Sequence, residues 1–151
     1  MHFPRIHDLR VYSGSKQKDI AEYLECDRRT YYLYEQGRLE IPTKRLIKLA
    51  QFYNVSCDYI LGLKDSPGNY VGISRVPLGI RLKKLRLKKG YSEEFLAKYL
   101  YCGQSNYSHY ETSRRYMPVD MLIRLSKLYH VSVDYLLFGV GEDDPYLLSL
   151  T

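Results

Sequence analysis

The chain has 151 residues, 23 Lys/Arg against 17 Asp/Glu for a formal charge of +6, and 17 tyrosines with no tryptophan. A hydrophobic share of 45% beside 26% charged residues argues against whole-chain disorder, and the length allows one average domain or two small ones. No stretch approaches the roughly 20 apolar residues of a membrane helix, and the start MHFPRIHDLR lacks a secretory core. Three cysteines without a C-x-x-C pair fit reduced thiols in a cytoplasmic protein.

In chain order, the first predicted element is a helix stopped by Gly14. A second helix over 17–24 carries Ile20, Tyr23 and Leu24 as one apolar stripe, with Lys16 as a poor N-cap. The third, over 28–36, opens with Arg28 and Arg29 and continues into the tyrosine run TYYLYE. Pro42 breaks the chain before a fourth helix, whose stripe is Leu46, Leu49, Ala50 and Tyr53. Ser56 caps a short fifth, with Asp58 in its first turn favoured by the helix dipole. The segment KDSPGNYVGISRVP has the Pro, Gly, Asn and Ser of a linker.

After it the chain says the same thing again. Shifted by 76 positions, residues 5–61 lie on residues 81–137 without a gap and about twenty positions are identical, among them Arg10/Arg86, Gly14/Gly90, Tyr34/Tyr110, Glu35/Glu111 and Pro42/Pro118. The predicted architecture is all-α: two tandem five-helix domains over 1–63 and 77–139, a linker over 64–76 and a tail over 140–151. The second domain is the more basic, with 11 Lys/Arg against 5 Asp/Glu. The tail is acidic at first and then apolar through Tyr146-Leu147-Leu148.

The ordered pattern Gln17…Ile20-Ala21…Leu24…Arg29-Thr30…Tyr34-Glu35-x-Gly37…Pro42…Leu46…Leu49-Ala50…Val55-Ser56…Asp58…Leu61 resembles the xenobiotic-response-element and Cro-repressor family of helix-turn-helix proteins. The resemblance implies a phage-repressor-like fold in each copy. It also implies a sequence-specific regulator of transcription, a repressor, that lays its third helix in the major groove of double-stranded DNA. Carried over by position, the base readers are Arg28, Arg29, Tyr32 and Leu33 in the first copy, and Gln104, Ser105, Ser108 and His109 in the second. Phosphate contacts fall to Gln17, Thr30, Arg38, Lys44, Arg45, Arg114 and Arg115. Arg10 with Glu35, and Arg86 with Glu111, resemble an ion pair that links first and third helices in phage repressors.

The residues themselves divide the third helix in the same way. Tyr31, Tyr34 and Glu35 recur as Tyr107, Tyr110 and Glu111, whereas the four reading positions all change. One face is therefore expected to pack and the other to read. Arginine can bond guanine O6/N7 and glutamine adenine N6/N7, so the copies should favour different half-sites. Two departures weaken the second copy as a reader: Glu93 stands where the first has Gln17, and Thr112-Ser113 replaces the turn at Gly37. The alternative is that this copy serves as a protein-interaction or dimerisation module in an antitoxin-like or adaptor protein. A homodimer through fifth helices or through the apolar tail is a further expectation, as is a tail packed on its own domain. A linker of about 14 residues reaches at most about 50 Å, enough for half-sites roughly 34–36 Å apart. With no phosphate-cradling glycine loop, metal-ligand spacing or nucleophile with its base, an enzyme is not expected, nor a cofactor, metal or small-molecule ligand.

Overall fold

The computed structural model describes residues 1–72 and 77–139. Among them are ten α-helices and no strand, divided between two compact units that part after Tyr70. The all-α, tandem five-helix architecture expected from the repeat is the one found.

In the first unit, α1 (Pro4–Ser13) is stopped by Gly14, whose φ of 71° is the left-handed turn that glycine adopts without strain. Lys16 precedes α2 (Gln17–Tyr23) without any side-chain cap, as its chemistry dictates. Asp27 caps α3 (Arg28–Glu35) by accepting the Thr30 amide. Pro42 leads into α4 (Thr43–Tyr53), and the Ser56 hydroxyl accepts the Tyr59 amide to cap α5 (Cys57–Ile60). Ile6, Ile20, Leu24, Tyr31, Leu46, Leu49 and Ile60 meet in the core.

The second unit repeats this with α6 (Leu78–Lys89), α7 (Glu93–Tyr99), α8 (Gln104–Glu111), α9 (Val119–Tyr129) and α10 (Val133–Phe138). Its core is the same list moved by 76: Leu82, Leu96, Leu100, Tyr107, Leu122, Leu125 and Leu136. Ser92 and Ser132 cap α7 and α10 through the Phe95 and Tyr135 amides. The units differ where α6 starts. Gly79 takes the place of Phe3, and a Cβ there would lie 2.1 Å from the Glu111 carbonyl oxygen. Only glycine lets the start of α6 come this close to the end of α8.

One pair of identical residues has a role that the sequence did not disclose. Arg5 donates to the carbonyls of Tyr59 (2.7 Å) and Lys64 (2.5 Å), and Arg81 to those of Leu136 (2.8 Å) and Leu137 (2.6 Å). Each arginine thus ties the first helix of its unit to the carbonyl-rich end of the last. Burial pushes the Arg81 guanidinium below its ordinary pKa.

Residues 64–70, read from composition as the start of a linker, lie along the first unit. The Ser56 amide donates to the Pro67 carbonyl (2.8 Å), the Tyr70 amide to Asn54 Oδ1 (3.2 Å), and Arg5 pairs with Asp65 at 3.5 Å. Gly68, at φ 58°, sits against the Ser56 side chain. Turn-forming residues are as apt for folding back on a domain as for spanning away from it. The tail expected over 140–151, with Tyr146-Leu147-Leu148, and linker residues 73–76 lie outside the described residues.

Candidate nucleic-acid interface

Both units bring their second and third helices together through a tight turn. The Cys26 amide donates to Ala21 O (3.0 Å) and the Cys102 amide to Ala97 O (2.9 Å). The bend itself is made by Glu25 at φ 58° and Tyr101 at φ 57°, left-handed values that favour glycine. Each is tied to the fourth helix of its unit, Glu25 by Lys48 at 3.4 Å and Tyr101 by the Arg124 guanidinium 4.8 Å above its ring.

On α3, Tyr31, Tyr34 and Glu35 are buried, while Arg28, Arg29 and Tyr32 are exposed and Leu33 is half-buried. On α8, Tyr107, Tyr110 and Glu111 are buried, Gln104 and Ser105 exposed, and Ser108 and His109 half-buried. The residues that recur between copies are thus the packed ones, and those that differ line the outer face. Steps of 100° along a helix place positions 28, 29, 32 and 33 together.

Behind the outer face of α3 lies a chain of polar contacts. The Arg10 guanidinium donates to both carboxylate oxygens of buried Glu35 through its Nε and Nη2. Gln17 Nε2 donates to Glu35 Oε2 (3.1 Å), and Gln17 Oε1 accepts from Arg28 Nε at 3.4 Å. Gln17 therefore joins an internal ion pair to an exposed arginine. Burial alone would raise the Glu35 pKa, but the bonds from Arg10 and Gln17 and the Arg10 charge outweigh it and hold the carboxyl below its ordinary value.

The second unit keeps the pair and loses the chain. Arg86 donates to Glu111 Oε1 (2.5 Å) and Oε2 (3.2 Å), and the Tyr107 hydroxyl adds a bond to Oε1 (2.9 Å). Glu93, in place of Gln17, puts a second carboxylate 3.8 Å from Arg86. One guanidinium here faces two carboxylates.

The expected phosphate contacts divide. Arg38, Lys44, Arg114 and Arg115 are exposed, and Arg115 donates to Asn106 Oδ1 (3.1 Å). Thr30 is half-buried, with its amide held by Asp27 Oδ1 at 2.6 Å. Arg45 is turned inward. It donates to the carbonyls of Leu24 and Glu25 (3.2 Å each) and to the Tyr34 hydroxyl (2.7 Å), so it clasps the end of α2. Met121 occupies the matching place in the second unit. That clasp, the bridge through Gln17 and the cap at Asp27 went unnoticed in the sequence. Only the cap had a visible signal, an Asp three residues before Thr30 at a helix start.

Among the described residues no helix is long and apolar enough to cross a membrane. No solved structure matches the chain. Three curated relatives of Bacillus subtilis (strain 168) align over one copy's length. The HTH-type transcriptional regulator ImmR is 46% identical over 67 residues, 44% of this chain and 50% of ImmR. The uncharacterized HTH-type transcriptional regulator YobD is 38% identical over 43% of this chain and 58% of its own. The SPbeta prophage-derived uncharacterized HTH-type transcriptional regulator YonR is 39% identical over 40% and 56%. The chain thus spans about half the length of the curated relatives it matches. All three bear the name of HTH-type transcriptional regulators. A helix-turn-helix family model matches twice, over residues 6–60 and 82–136, which covers most of both units. With the geometry of α2–α3 and α7–α8, this makes the chain a member of that helix-turn-helix family, carrying two copies in tandem.

Proposed function

We propose that this protein is a sequence-specific regulator of transcription that reads double-stranded DNA with α3 of its first unit in the major groove. The observation that carries the reading is the split of α3 into a buried face, Tyr31-Tyr34-Glu35, and an outer face led by Arg28 and Arg29. Arg28, Arg29, Tyr32 and Leu33 are the base-facing set. Arg38 and Lys44, with Gln17 and Thr30, supply contacts to phosphate. An arginine that bonds guanine O6 and N7 together discriminates by about 1–3 kcal/mol against another base. Arg28 arrives with its Nε already held by Gln17, which lowers the entropy cost of that bond. As a repressor it would act by occupying a promoter and excluding polymerase.

The direct test is selection of duplexes from a random pool by the full chain, followed by anisotropy titrations of the winner. Enrichment of a G-containing half-site, lost in Arg28→Ala/Arg29→Ala, is the expected result. A variant that selects the same half-site as the parent would exclude α3 as the reading helix.

A second reading applies to the second unit, where α8 offers Gln104, Ser105, Ser108 and His109. Its supporting observation is Glu93 beside Arg86. A carboxylate where the first unit has an amide repels phosphate, which favours a protein-interaction role for this unit, homodimer formation included.

A further inference from the structure

Asp27, at the tip of α3, has a property that helix capping alone does not require. Ser, Asn or Thr would cap as well, and the second unit has Gly103 there, with no side-chain cap at all. A carboxylate is costly on a surface that must approach two rows of phosphates. Its backbone is extended, φ −77° and ψ 161°, so the 100° steps of the helix do not carry it round to the buried side of Tyr31 and Tyr34. The residue is exposed. Thr30 fixes its orientation, the amide donating to Oδ1 at 2.6 Å and the hydroxyl also bonding the carboxylate. These bonds hold its pKa below the ordinary value, so the group is an anion at neutral pH.

An anchored carboxylate has lone pairs left over and no proton to give. In the major groove, guanine shows the acceptors O6 and N7, thymine the acceptor O4, and adenine the acceptor N7 beside its N6 amino donor; each of these acceptors repels a carboxylate. Cytosine shows only the N4 amino donor. Resting on the reading that α3 enters the major groove, we infer that Asp27 is a specificity-determining residue, which selects a cytosine next to the base pair read by Arg28 or Arg29. The two side-chain types are complementary in use, since arginine rewards acceptors and Asp27 rejects them.

The test repeats the random-pool selection with the full chain, Asp27→Asn and Asp27→Gly. Asparagine caps as well as aspartate, so α3 keeps its start. With its oxygen on the Thr30 amide it presents an NH₂ donor instead of an anion. The parent is expected to enrich cytosine at one position by about five-fold, Asp27→Asn to turn that position to guanine or thymine, and Asp27→Gly to leave it indifferent. The salt dependence of binding stays the same in all three, because no phosphate contact changes. Equal base preferences in the parent and Asp27→Asn pools would overturn the inference while leaving the reading of α3 intact. Failure of the parent to enrich any duplex would overturn both.

Discussion

At the scale of single residues, the clearest organiser is Glu35. Its carboxylate is buried, yet it receives Arg10 and Gln17 and so remains an anion. Removing one partner of such a pair leaves the other uncompensated, so Glu35→Ala should destabilise the first unit by about 3 kcal/mol. Thermal or urea melting of the full chain reads this directly. The pH dependence has a definite sign. A carboxyl whose folded pKa is depressed contributes stability that is complete above its unfolded value and lost as pH falls through the folded one. Melting temperatures should therefore decline below about pH 4.5, the ordinary value for this carboxyl, and Glu35→Gln should make that acid limb shallower. An unchanged limb would mean that Glu35 titrates alike in both states. Arg45 makes a contrasting case. Because its guanidinium donates to the carbonyls of Leu24 and Glu25 and to the Tyr34 hydroxyl, Arg45→Ala should cost about 1–2 kcal/mol of stability. It should leave the salt dependence of DNA binding unaltered, whereas a phosphate contact would do the reverse.

At the scale of elements, most of the fold could be read from the chain because each helix carries its own punctuation. Gly14 and Gly90 end the first helices, Ser56, Ser92 and Ser132 open later ones, and the repeat supplies every equivalence. The predicted 17–24 and 28–36 end one residue beyond α2 and α3, where the last turn loosens. What escaped was long-range. Neither the arginine ties at Arg5 and Arg81 nor the inward turn of Arg45 follows from neighbours in sequence, since each depends on carbonyls 20 or more residues away. Gly79 belongs to the same class. Inside a helix, Gly→Ala ordinarily stabilises by up to about 1 kcal/mol. At Gly79 the new Cβ would meet backbone of Glu111 at 2.1 Å and Tyr110 at 2.7 Å, neither of which can rotate away. Gly79→Ala should instead destabilise the second unit by about 1–3 kcal/mol, visible as a lower melting midpoint. A stabilised variant would show that α6 can retreat from α8 without loss.

At the scale of the whole molecule, duplication lets each copy serve as the control for the other. Within α3 and α8, the positions kept in both are the buried Tyr31/Tyr107, Tyr34/Tyr110 and Glu35/Glu111, and the reading positions that changed lie on the outer faces. That comparison separates packing from the candidate reading face by sequence alone. It could not decide what α8 does, because a changed surface is equally the mark of a new specificity and of a lost one. The polar chain behind α3 sharpens the difference. Gln17 connects Glu35 to Arg28, while Glu93 turns toward Arg86 and adds a charge of the wrong sign for phosphate. If that charge keeps the second unit from DNA, Glu93→Gln puts the first unit's amide in its place at little structural cost. The pair it breaks is long at 3.8 Å, and Arg86 keeps Glu111. The full-length variant should then bind DNA more tightly, with a plot of log affinity against log salt steeper by about 0.9 for each phosphate gained. A change in affinity without a change in slope would mean that no phosphate was gained, and that the second unit's surface meets something other than the DNA backbone.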